Sequence, residues 1–124
     1  MAYEKLKQPI TIGSMTIKNR MVVPPLATNY ATRQGFITDK MIAFYAERAK
    51  GGFGLIEIEV GATCPQGRSI PNEIGLWSDD YIPGLTNLLL PYMKMAPKRY
   101  SRSITAAGLL QTLLLMMMLS EKAT

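Results

Sequence analysis

Met21-Val22-Val23-Pro24-Pro25, then Thr38 to Gly52 (TDKMIAFYAERAKGG), then Phe53 to Val60 (FGLIEIEV) carry the fold. Met21 to Val23 is a short apolar run stopped by Pro24-Pro25, because proline cannot donate to a sheet ladder. Thr38 offers an N-cap, Asp39 a favourable first-turn charge, and Ile42, Tyr45, Ala46 and Ala49 fall on one helical face. Arg48 and Lys50 suit the last turn, and Gly51-Gly52 closes the helix. Phe53 to Val60 is apolar and rich in β-branched residues, hence strand-like. Strand, helix and strand make one βαβ unit, which predicts a parallel pair with a right-handed crossover.

Upstream, Pro9-Ile10-Thr11-Ile12 and Met15-Thr16-Ile17 alternate apolar and polar residues around Gly13-Ser14, a β-hairpin signal. Downstream, Gly61 to Ser78 reads as a long polar loop containing Pro65, Gly67, Pro71 and Gly75. Asp79, Asp80 and Pro83 then start a second helix whose apolar face is Leu85, Leu88 and Leu89. The order is that of a repeating α/β fold at its opening.

Composition narrows the function classes. A chain of 124 residues that is 48% hydrophobic can bury a core. It is too short for a complete (β/α)8 barrel, which needs roughly 200 residues or more. With no His and one Cys, no Ser-His or Cys-His catalytic pair, internal disulfide or zinc cluster can form within it. No catalytic residue and no metal ligand is assigned. The segment Met1 to Lys5 leads into no apolar stretch, and the run Leu109 to Leu119, broken by Gln111 and Thr112, is well short of the roughly 20 residues a membrane helix needs. A cytoplasmic location with no membrane partner is expected.

The net charge of +5 raises nucleic acid or an acidic surface as partner until it is located. Residues 1–90 carry nine Lys/Arg and eight Asp/Glu, whereas residues 91–124 carry five and one. The later segment also holds five of the nine methionines and no Phe or Trp. Two parts are therefore expected, 1–89 and a basic, Met-rich tail at 90–124. Lys94, Lys98, Arg99 and Arg102 with Tyr92 and Tyr100 have the composition of a nucleic-acid patch, but no binding module surrounds them, so no nucleic-acid partner is expected.

Five segments within residues 5–89 carry a family resemblance. They are IKNRMVVPPLA (Ile17 to Ala27), FYAERAKGGFGLI (Phe44 to Ile56), PQGR (Pro65 to Arg68), PNEIGLW (Pro71 to Trp77) and DDYIPGL (Asp79 to Leu85). In this order and spacing the chain resembles the Old Yellow Enzyme family, the FMN-dependent NAD(P)H oxidoreductases that include the 2,4-dienoyl-CoA reductase branch. The resemblance implies α/β architecture: the N-terminal part of a (β/α)8 TIM barrel, a bottom-plugging hairpin plus the first two βα units, truncated. It implies FMN as cofactor, NAD(P)H as co-substrate and a small enone or enoyl substrate.

By the same resemblance, Pro24, Pro25, Leu26 and Ala27 lie against the isoalloxazine, as does the backbone of Val60. Small residues admit a flat ring, and Pro24-Pro25 stiffens the loop. Ala27 stands where some relatives place a redox-tuning Cys or Thr. Glu57 and Glu59, two apart on a strand, have the spacing of a paired-carboxylate site, yet a buried, hydrogen-bonded or barrel-lining role is expected for Glu59. Cys64 reads as a bystander thiol, Arg68 as a solvated loop residue that could meet an anion, and Phe44-Tyr45 as helix core.

The resemblance stops near residue 89. Reading the codons of Pro91 to Gly108 two bases further on forces Glu from Met93-Lys94 and Gly from Met95-Ala96. It permits IYENGAKAVFQINHCGR, the third-strand segment of the family. The expectation is that residues from about Leu90 onward are frame-shifted. The third-strand Gln and His, the mid-barrel polarising pair and the late phosphate loops would then be missing, and the chain would not be catalytically competent. The alternative is a small non-catalytic α/β protein whose basic tail binds a partner or an acidic surface.

Overall fold

The computed structural model describes residues 3–13, 15–95 and 104–106. The chain runs α1 (Glu4–Lys7), β1 (Ile10–Ile12), β2 (Met15–Ile17), β3 (Val22–Val23), α2 (Asp39–Lys50), β4 (Leu55–Ile58), β5 (Gly61–Ala62), β6 (Ile74–Gly75), α3 (Ile82–Met95) and β7 (Ile104–Ala106). β1 and β2 form the expected antiparallel hairpin, with Ile10 opposite Ile17 and Thr11 opposite Thr16. β3 and β4 pair in parallel, Val22 with Leu55 and Val23 with Ile56, and α2 connects them.

Thr38 caps α2 as its sequence position predicts: its Oγ1 accepts from the Met41 amide at 3.3 Å. The helix buries Met41 and Tyr45 most deeply, with Ile42, Phe44 and Ala49 half-buried against the same core. Met41 therefore joins the face assigned to Ile42, Tyr45, Ala46 and Ala49. Val23, Ile56 and Ile58 meet this helix side of the sheet together with Leu85, Leu88 and Leu89 of α3. Each such side chain contributes about 1.5–3 kcal/mol of transfer free energy when fully buried. Val22, on the opposite strand face, is exposed, and Glu57 is half-buried.

The N-terminal ends of β3 and β4 are fastened by Asn19. Its Nδ2 donates to the Gly52 carbonyl at 2.7 Å and its Oδ1 accepts from the Met21 amide at 3.1 Å. The Met21 carbonyl accepts from the amides of Gly54 and Leu55 at 3.0 and 3.2 Å. A Cβ on Gly54 would stand 2.6 Å from the Asn19 Oδ1 and closer still to its carbonyl oxygen, so only glycine lets the strands close here. Gly54→Ala is expected to cost about 1–3 kcal/mol, seen as an earlier urea midpoint with unchanged slope. This crossing accounts for the start at Leu55 of the strand expected over Phe53 to Val60, which ends at Ile58.

The segment Gly61 to Ser78 is ordered rather than an irregular polar loop. β5 and β6 pair in parallel, and a 3-10 turn covers Pro65–Gly67. Glu73 is buried and its Oε2 accepts from the Ser69 amide, the Ser69 hydroxyl and the Ile70 amide at 2.6, 2.8 and 3.3 Å. The absence of a Cβ on Gly75 admits the Tyr81 ring, whose Cζ would otherwise lie 2.6 Å from it.

The second helix begins as expected. Ser78 accepts from the Asp80 amide at 3.3 Å, a 3-10 turn spans Asp79–Tyr81, and α3 follows. It continues through Pro91, which has no amide hydrogen for the usual helical bond four residues back. β7 then pairs in parallel with β4, Ile56 with Ile104 through Ile58 with Ala106. The β4 edge that two strands alone would leave open is thus covered by the chain's own segment. Lys98, Arg99, Tyr100, Arg102 and Met116 to Met118 lie outside the described residues. Among the described residues no helix is long and apolar enough to cross a membrane.

Candidate functional site

Parallel register brings the chain leaving β3 and the chain leaving β4 off the same end of the sheet. In barrels of alternating strands and helices, these C-terminal ends carry the functional loops. Pro24, Pro25, Leu26 and Ala27 form one exposed run there, Leu26 being 62% exposed, and Val60 is 38% exposed. The run turns tightly, with the Leu26 amide donating to the Pro24 carbonyl at 2.9 Å.

Glu59 joins the two segments. Its side chain is buried, 2% exposed, and its Oε2 accepts from the Thr28 amide at 3.0 Å. The Tyr45 hydroxyl donates to the same oxygen at 3.1 Å and accepts from the Glu59 amide at 3.0 Å. Glu59 Oε1 is buried and has no hydrogen-bond partner among the described residues. Burial, then the negative charge of Glu59, holds the Tyr45 phenol well above its ordinary range, partly opposed by the Glu59 amide and Arg48. One residue beyond Thr28, Asn29 adopts φ 59°, and its Oδ1 accepts from the Asn72 amide at 3.0 Å. The loop after β3 is fastened at two adjacent residues.

Glu57 and Glu59 do not share one environment. Glu57 is half-buried within β4, opposite Thr105, whereas Glu59 turns in to Tyr45. Arg68 is committed to backbone: its guanidinium donates to the carbonyls of Pro65 at 3.2 Å, Pro71 at 3.4 Å and Arg33, which ties the loop to the segment after β3. Cys64 is exposed and free. A cleft of about 220 Å³ beside the start of α3, lined by Trp77, Asp79 and Leu85 among others, includes none of the residues at the sheet's C-terminal end. Sequence reasoning alone does not single out Thr28 or Asn29. Only Tyr45 carries a signal, a polar tip on an otherwise apolar helix face.

The profile of the NADH:flavin oxidoreductase / NADH oxidase family matches residues 5–90. The chain belongs to that family. It is 43% identical over 86 residues to the NADPH dehydrogenase of Bacillus subtilis (strain 168), covering 68% of this chain and 25% of that protein. Among solved structures it is similar to a 2-naphthoyl-CoA reductase complex, at TM-score 0.72 and 34% identity over 75% of this chain and 14% of the other. The old yellow enzyme from Trypanosoma cruzi gives TM-score 0.70 and 26% identity over 86% of this chain and 27% of that one. The hairpin and the two strand–helix units therefore have the fold of the N-terminal part of an Old Yellow Enzyme TIM barrel. The chain spans about a quarter or less of the length of these relatives.

Proposed function

We propose that residues 1–89 are the N-terminal portion of an FMN-dependent NAD(P)H oxidoreductase of the ene or enoyl reductase type. The observation that carries this reading is the juxtaposition of the exposed Pro24–Ala27 run with Val60 at one end of a parallel pair. These residues fit a flavin: two prolines and an alanine leave the backbone accessible to a flat ring, and nothing bulky but Leu26 stands in the run. Hydride transfer from NAD(P)H to an activated C=C is chemistry that FMN supplies when bound. In this reading Pro24, Pro25, Leu26, Ala27 and the backbone of Val60 would hold the flavin ring.

If residues from about Leu90 onward are frame-shifted, as proposed, they would not supply the barrel strands that enclose the cofactor, and these 124 residues by themselves would not form a competent enzyme. Purified chain passed through gel filtration tests the cofactor reading. Flavin retained by the chain supports it, a colourless soluble monomer favours the non-catalytic alternative, and a colourless aggregate fits a decayed fragment. Sequencing that finds no downstream frame encoding further barrel strands contradicts the frame-shift.

A second reading, a small non-catalytic α/β protein with a basic tail for a partner or acidic surface, is favoured by the pairing of Ile104–Ala106 with β4. A chain ending at residue 95 separates the two. It aggregates if β7 is needed to cover the edge, and stays monomeric if the tail is dispensable.

A further inference from the structure

We propose that Glu59 is a positioning residue, whose buried carboxylate holds the Pro24–Thr28 loop in shape through the Thr28 amide. The inference rests on the flavin-facing reading of that loop. Three segments meet at Glu59 Oε2: the loop after β3 through Thr28, α2 through the Tyr45 hydroxyl, and the chain leaving β4 through Glu59 itself. A carboxylate 2% exposed, with no bonded cation and Oε1 unpartnered among the described residues, is costly to bury. An apolar side chain would fill the same space without that cost, but could not accept the Thr28 hydrogen. The acid is therefore matched to the loop rather than to the core.

The bond also occurs where the loop needs it. Pro24 and Pro25 have no amide hydrogen, and the Leu26 amide is turned back on the Pro24 carbonyl. Thr28 is thus the first residue after β3 whose amide ties the loop to the neighbouring strand end. Beyond it, the Thr28 Oγ1 accepts from the Tyr30 amide at 3.3 Å, which carries the constraint toward α2. Freed at Thr28, the run from Pro24 to Ala27 would be anchored only by β3 and by Asn29.

Amide hydrogen exchange on the full 124-residue chain, without FMN, tests this. In Glu59→Ala the Thr28 amide exchanges about tenfold or more faster than in the parent, beyond any change at the Leu88 amide in α3. Glu59→Gln keeps an acceptor oxygen and folds; its neutral amide binds more weakly than the carboxylate, so Thr28 speeds up severalfold. Acceleration at Thr28 that only matches Leu88 in both variants overturns the proposal, since Glu59 would then act through global stability alone. Because no flavin is present, failure here bears on the clamp, whereas the gel-filtration colour test bears on the flavin reading.

Discussion

Leu88→Ala lowers the unfolding free energy by about 2–5 kcal/mol, the range for deleting a fully buried leucine side chain. Leu88 is 0% exposed and shares one cluster with Met41 and Tyr45 of α2 and with Ile56 and Ile58 of β4. It therefore stands where the second helix meets both the first helix and the sheet. Domains of this size are stable by only about 5–15 kcal/mol, so the loss is a large share of the total. The thermal midpoint falls on the order of 10 °C. Leu90→Ala is the control, the same chemical change two positions along the same helix. Leu90 is 39% exposed and outside the buried cluster, so its truncation costs about 1 kcal/mol or less. Equal effects from the two would show that α3 does not pack as described.

Tyr45→Phe is expected to cost about 2–4 kcal/mol at neutral pH, because it removes one hydroxyl that serves two buried partners. The Glu59 amide loses its acceptor, and Oε2 keeps only Thr28. The pH dependence separates this hydroxyl from simple packing. The folded-state phenol is raised above its ordinary value of 10.0, so the folded chain holds that proton after the unfolded chain has released it. Stability from Tyr45 is accordingly complete below about pH 10 and is lost as pH rises further, by up to about 1.4 kcal/mol per pH unit. The informative quantity is the parent minus Tyr45→Phe difference in urea unfolding at about pH 9 and pH 11, which cancels what the two chains share. A difference that does not shrink on the alkaline side contradicts the burial of the Tyr45 proton.

Periodicity made the strand–helix–strand unit and the Leu85, Leu88, Leu89 face legible, because those elements are decided by local pattern. Thr38 was readable as a helix start, since a cap acts within three residues, and Asp79, Asp80 and Pro83 marked the second helix, whereas the Ser78 cap itself was not singled out. Gly61 to Ser78 was not. Its order comes from Glu73 and Arg68 bonding to backbone groups and from Tyr81 seated on Gly75, contacts that leave no periodic trace. Asn19 and Gly54 illustrate the same limit, as the pair is set by the closeness of two strand ends 35 positions apart in sequence. The candidate flavin edge was reached through family motifs. Its fastening by Glu59 and Tyr45 became visible only once α2 was laid on the sheet. β7 escaped sequence reading because parallel pairing uses backbone groups that any sequence supplies.

Residues 1–89 are proposed to be the opening of a flavin-binding barrel, with Pro24–Ala27 and Val60 at the ring. Grafting them in place of the matching segment of the Bacillus subtilis NADPH dehydrogenase, 43% identical over 86 residues, gives the most direct measurement. The expected product is a soluble chimera that leaves gel filtration yellow with one FMN per chain. A chimera that folds to a monodisperse species yet retains no flavin would contradict the proposal.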